Sequence, residues 1–111
     1  MSQSDRKPFF IASRSELTDE LISLAVGDKE LVIVKHEGEV SVFSGLCLHE
    51  EALLADGFLE NGFITCGKHL WRYSLENGEL DKQPGVGIKK LTTWFEGDDL
   101  YLDLNELDAM D

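Results

Sequence analysis

From Glu20 onward the chain alternates short apolar runs with glycine-bearing turns. Leu21, Ile22, Leu24 and Val26 lead into Gly27-Asp28, residues 31–34 lead into Glu37-Gly38, and Val40, Val42 and Phe43 follow. Brief β-branched runs punctuated in this way predict a meander of antiparallel strands. The texture resumes after the middle of the chain. Phe63-Ile64-Thr65 runs into Cys66, and residues 70–73 run into Glu76-Asn77-Gly78. Residues 88–95 and 100–104 flank Glu96-Gly97-Asp98-Asp99, which predicts a hairpin. Two stretches depart from the pattern. Ser13 followed by Glu16 is a capping-box signal for one short helix within residues 12–18. Residues 50–55 suit a single helical turn inside a loop that ends at Gly57. The acidic residues 105–111 are expected to fray. No internal repeat or low-complexity linker interrupts the chain, so the expectation is one domain over residues 1–111. Its class is all-β, an antiparallel sandwich or barrel.

Composition narrows the partners. Acidic residues outnumber basic ones 22 to 10, giving a formal net charge of −12. Such a surface repels nucleic acid and anionic lipid, which are held chiefly by Lys and Arg, and it speeds encounter with a basic protein surface. Apolar runs fall far short of the roughly 20 residues that cross a bilayer. Residues 1–8 carry no apolar signal segment. The expected location is the cytoplasm, where thiols stay reduced.

That expectation changes how the cysteines are read. The chain has two cysteines and three histidines, and four of these five residues form two couples, Cys47-Leu48-His49 and Cys66-Gly67-Lys68-His69. Each couple mixes a thiolate with an imidazole, and together they make a complete set of four metal ligands. A tetrahedral zinc site accepts two Cys and two His. Zinc fingers, however, place Cys with Cys and His with His on separate elements. A Rieske 2Fe–2S centre uses two Cys on one iron and two His on the other, which two facing mixed loops satisfy. His36 ends an apolar run with no partner at ligand spacing, and reads as an exposed strand residue.

The order Cys-x-His followed by Cys-x-x-His resembles the Rieske ferredoxin family over nearly the whole chain. More narrowly, Glu51, Leu54, Gly57, Gly62 and Ile64-Thr65-Cys66-x-x-His69-Leu70-Trp71 resemble the ferredoxin component of toluene and alkene diiron monooxygenases. The resemblance implies one 2Fe–2S cluster held by Cys47, His49, Cys66 and His69. It also implies a cluster-binding subdomain at about residues 45–86, with Pro84-Gly85 as a third covering loop. Two departures are visible. Leu48 stands where the family usually has Pro, and the extra cysteines that join the loops in respiratory members are absent. Respiratory members also place Ser and Tyr two and four residues after the second His. Here these positions are Trp71 and Tyr73; the missing Ser hydroxyl implies a potential at the low end of the Rieske range, about −150 mV, which the retained Tyr73 would raise somewhat.

No nucleophile–base pair or catalytic residue is legible, and two of the three histidines are spoken for as ligands. The implied role is a monomeric one-electron carrier between an NADH-dependent flavin reductase and an oxygenase hydroxylase, here a diiron monooxygenase acting on aromatic or alkene hydrocarbons. The alternatives are the ferredoxin of a ring-hydroxylating Rieske dioxygenase, a subunit of an assimilatory nitrite reductase, and, from another class, a zinc-stabilised acidic binding module. Glu50, Glu51 and Lys68 border the histidines and are expected either to ring the docking tip or simply to be solvated. Trp71 and Trp94 read as packing aromatics.

Overall fold

A computed structural model describes residues 7–46, 53–66, 71–81 and 83–108, with the backbone alone at positions 84 and 108. The strands in chain order are β1 Pro8–Ser13, β2 Leu21–Val26, β3 Lys29–His36, β4 Glu39–Ser44, β5 Phe58–Glu60, β6 Phe63–Thr65, β7 Arg72–Ser74, β8 Glu79–Leu80, β9 Gln83–Gly87, β10 Lys90–Leu91, β11 Thr93–Glu96 and β12 Asp99–Asp103. A short helix, α1, covers Leu104–Asp108. The strands form three antiparallel sheets ordered β1-β12-β11, β10-β4-β3-β2 and β5-β6-β7-β8-β9.

The middle sheet is the wall of the molecule. Along β3, Leu31 and Ile33 pack into one core while Val32 and Val34 pack into another. On β4, Val42 and Phe43 divide the same way. Both faces are covered, so the apolar run at 31–34 is continuous where a half-exposed strand would alternate. The first core lies against the three-stranded sheet through Ile11, Leu100 and Leu102. The second lies against the five-stranded sheet through Ile64, Tyr73 and Leu80, and it includes Cys66. Sheets on the two faces of one shared sheet satisfy the all-β sandwich expectation.

The local signals explain most elements. The β3–β4 and β5–β6 hairpins turn through Glu37-Gly38 and Asn61-Gly62, with both residues of each pair at positive φ. This turn matches the right-handed twist of the flanking strands. The capping-box segment forms only a 3-10 turn, Arg14–Glu16, with the Ser13 N–H donating to Glu16 Oε1 at 2.9 Å. Of the helical turn expected at residues 50–55, positions 50–52 lie outside the described residues, Leu53 makes a β-bridge, and a 3-10 segment covers Leu54–Asp56. His36 closes β3 and stands half-exposed, 3.9 Å from the Glu37 carboxylate.

One strand lies outside the pattern read from the sequence, and two expectations are corrected. The apolar residues 9–11 belong to a strand, β1, whose partner β12 lies at the far end of the chain. Residues 88–95 are not one strand: Lys90-Leu91 pair with Phe43 and Val42 on β4, whereas Thr93 onward pairs with β12. The chain changes sheets at Thr92, whose N–H and Oγ1 donate to the Glu106 carboxylate at 2.7 and 2.6 Å. The residues after 104 therefore do not fray as far as they are described. Leu107 is buried in the first core, and the apolar contact together with the Glu106 link holds α1 down.

Candidate metal centre

The two Cys/His couples fall on the connections that leave the middle and five-stranded sheets. Cys47, His49 and His69, with Leu48, Glu50, Glu51, Gly67, Lys68 and Leu70, lie outside the described residues. The stems of both connections are described. The first closes through an antiparallel bridge between Leu46 and Leu53 and through Leu54 N–H donating to Gly45 O at 2.8 Å. Gly45 itself donates to Glu30 O at 2.8 Å, fastening that stem to the start of β3. A Cβ at Gly45 would stand 2.7 Å from the Leu31 carbonyl carbon, so only glycine lets the stem lie so close. The second closes where Cys66 N–H donates to Trp71 O at 2.8 Å. Leu54 and Cys66, one from each stem, share the second core. The stems that flank residues 47–52 and 67–70 are thus neighbours on one packed base.

Cys66 is 1% exposed and its thiol is free. A free thiol so deep is either an inert core group or a ligand held where water does not compete. Its neighbour favours the second. Thr65 Oγ1, on a residue only 2% exposed, has no hydrogen-bond partner among the described residues. An orphaned buried hydroxyl at the foot of this stem is costly unless a group beyond the described residues accepts its hydrogen bond. The donor set that the sequence offers, two thiolates and two imidazoles with Cys66 at a described stem, is chemically suited to a 2Fe–2S cluster. Among the described residues there is no group of three or more His, Cys, Asp or Glu placed to hold a different metal.

The flanks of the base are less apolar. Tyr73 is fully buried in the second core, and Trp71 packs against its edge. Trp94 sits far off, stacked on Tyr101 across the three-stranded sheet with ring centroids 6.3 Å apart, so it is a packing residue as expected. The expected third loop is a bulged strand. Its ladder steps from Leu80↔Gln83 to Glu79↔Gly87, so residues 84–86 bow out of the pairing. The sequence reading passed over the link between Arg72 Nη2 and Asp81 Oδ2, 2.7 Å apart beside the second stem. No spacing rule could have found it, since the two meet only across a hairpin.

Comparison with known proteins agrees with this geometry. The model of the Rieske [2Fe–2S] domain matches residues 7–94. The ferredoxin component of the alkene monooxygenase system of Xanthobacter autotrophicus is 34% identical over 97 residues, covering 86% of this chain and 80% of that protein. The ferredoxin component of the naphthalene 1,2-dioxygenase system of Pseudomonas aeruginosa is 32% identical over 87 residues, covering 78% and 84%. In structure, the Sphingomonas yanoikuyae B1 ferredoxin superposes with a TM-score of 0.78 over 87% of this chain and 98% of its own, at 23% identity. The chain therefore belongs to the Rieske [2Fe–2S] family, as an electron-carrying ferredoxin with one such cluster.

Proposed function

We propose that this ferredoxin accepts single electrons from an NADH-dependent flavin reductase and delivers them to the hydroxylase of a multicomponent diiron monooxygenase that oxidises aromatic or alkene hydrocarbons. The observation that carries the reading is the paired stems with Cys66 buried in their common base, together with the 34% identity to an alkene monooxygenase ferredoxin. The 32% identity to a naphthalene dioxygenase ferredoxin keeps a ring-hydroxylating dioxygenase as the second reading. Turnover of each purified oxygenase with this ferredoxin separates the two.

In this proposal Cys47 and Cys66 hold the inner iron and His49 and His69 the outer one, within a subdomain at about residues 45–86. When bound, the cluster supplies a reversible one-electron couple. The chain does the rest. The second core keeps water from Cys66, the stems would set where the two ligand segments begin, and the histidines would offer an exit route for the electron. Glu50 and Glu51 would give that tip a charge suited to a basic partner. We take the protein to be monomeric, since a net charge of −12 opposes self-association. We place it in the cytoplasm, where NADH is at hand. Among the described residues no helix is long and apolar enough to cross a membrane.

The test is a visible and EPR spectrum of anaerobically purified protein, before and after dithionite, with iron and zinc counted on one sample. The expected result is coloured protein with two irons and, once reduced, an average g below that of all-cysteine clusters. Colourless protein carrying zinc would overturn the reading in favour of an acidic binding module. Tyr73 provides a finer check, because its buried ring shares a core with Cys66. Tyr73→Phe is expected to lower the potential by tens of millivolts, on the order of the shift from one lost hydrogen bond near the sulfurs. An unchanged redox titration would mean that the hydroxyl bonds elsewhere.

A further inference from the structure

We infer that Arg72 and Asp81 form a clasp that positions the second ligand loop and sets the potential of the group held there; the inference rests on the cluster reading above. Arg72 opens β7, and in the ladder it faces Thr65, the residue before Cys66. Because Cys66 N–H donates to Trp71 O, Arg72 lies one position beyond the stem of the loop 67–70. Its Nη2 donates to Asp81 Oδ2 at 2.7 Å. The Asp81 N–H donates back to Arg72 O at 2.8 Å, so backbone and side chain join the same two residues. The guanidinium also stands 4.8 Å from the centroid of the Phe63 ring on β6. Asp81 follows β8 and begins the turn into β9. One ion pair thus ties the stem of the second loop to β6 and to the corner that leads into the bulged residues 84–86.

Regarded only as a strut, the pair would alter stability and nothing else. Its position gives it a second effect. The side chains are 36% and 27% exposed and border a cavity of about 250 Å³ lined by Trp71, Arg72, Leu80, Asp81 and Gln83. Charges that far withdrawn from solvent are screened less by salt than fully exposed ones. An added electron nearby is stabilised by the cation and opposed by the anion. While paired, the two largely cancel, and removing either one uncovers the other. Arg72 and Asp81 are positioning residues, acting on the cluster through the loop stem and through their field, without ligating iron.

The experiment titrates the reduction potential of holoprotein for the wild type and for R72Q, D81N, R72Q/D81N and R72K, with iron counted and EPR g-values recorded for each. R72Q is expected to lower the potential and D81N to raise it. The double variant should return toward the wild type, and R72K should lie closer to it than R72Q does. A loosened stem would move both single variants in the same direction, so opposite signs distinguish a field from mere mechanical support. Shifts of the same sign, or none beyond titration error, in variants that keep two irons would overturn the inference. Wild-type protein without two irons would instead overturn the cluster reading. If R72Q fails to fold, the rise in D81N and the retained potential of R72K decide the matter.

Discussion

Cys66→Ala is expected to yield folded protein that is colourless and carries no bound cluster. Cys66 sits 1% exposed among Val32, Phe43, Ile64 and Tyr73, so the alanine side chain is accepted by an apolar base that it fills slightly less well. Losing one sulfur atom there costs about 1–2 kcal/mol of packing. Losing the ligand removes a group whose binding contributes to folding only in the native state. Cys66→Ser should also be colourless and less stable than Cys66→Ala, because it buries a hydroxyl at a cost of roughly 1–3 kcal/mol. Far-UV circular dichroism, the visible spectrum and iron content on the same samples make the comparison. A coloured Cys66→Ala protein with two irons would remove Cys66 from the ligand set.

The second large effect is expected at Phe43. Its ring is fully buried on the face of β4 that looks toward the five-stranded sheet, with the Lys90 ammonium 5.6 Å from its centroid. Truncation to Ala should destabilise the protein by about 3–5 kcal/mol. The location matters as much as the size. Leu102, equally buried, belongs to the core on the opposite face of the middle sheet. Leu102→Ala should cost about 2–5 kcal/mol and yet leave the loop stems on an intact base. Phe43→Ala holoprotein should therefore bleach in air faster than Leu102→Ala holoprotein, when both are compared below their denaturation midpoints. Equal bleaching rates at equal loss of stability would mean that the two cores support the cluster alike.

Much of this was legible because the informative pairings are local. The meander over residues 21–44 announces itself through Gly27 and through Glu37-Gly38, whose positive φ angles the structure bears out. The Cys/His couples stand out for a different reason: four scarce residues fall at short intervals, and the match to the Rieske domain over residues 7–94 agrees with the chemistry they suggest. What could not be read depended on distance along the chain. Phe9, Phe10 and Ile11 make too short a run to declare a strand, and their partner strand β12 begins at Asp99. Residues 88–95 are apolar enough for a strand, but nothing in their pattern says that Leu91 serves one sheet and Thr93 another. Leu107 looked like part of an acidic tail because a single buried side chain carries no periodicity. The Arg72–Asp81 pair was hidden for another reason: the two lie only nine residues apart, but no spacing pattern says that these two charges meet across the hairpin.

The doubly covered middle sheet bears on the order in which the molecule can assemble. Its β2–β3 and β3–β4 pairings join residues within one stretch, 21–44, so little chain entropy is lost in closing them. The three-stranded sheet, by contrast, must bring Pro8 to Asp103. A wall that forms early presents apolar residues on both faces at once, and each face then gathers its own half of the protein. The half that contains Cys66 can collapse onto Val32, Val34 and Phe43 without waiting for the chain ends to meet. Formation of the core around Cys66 and closure of the terminal strands are in this sense separate events that share one template.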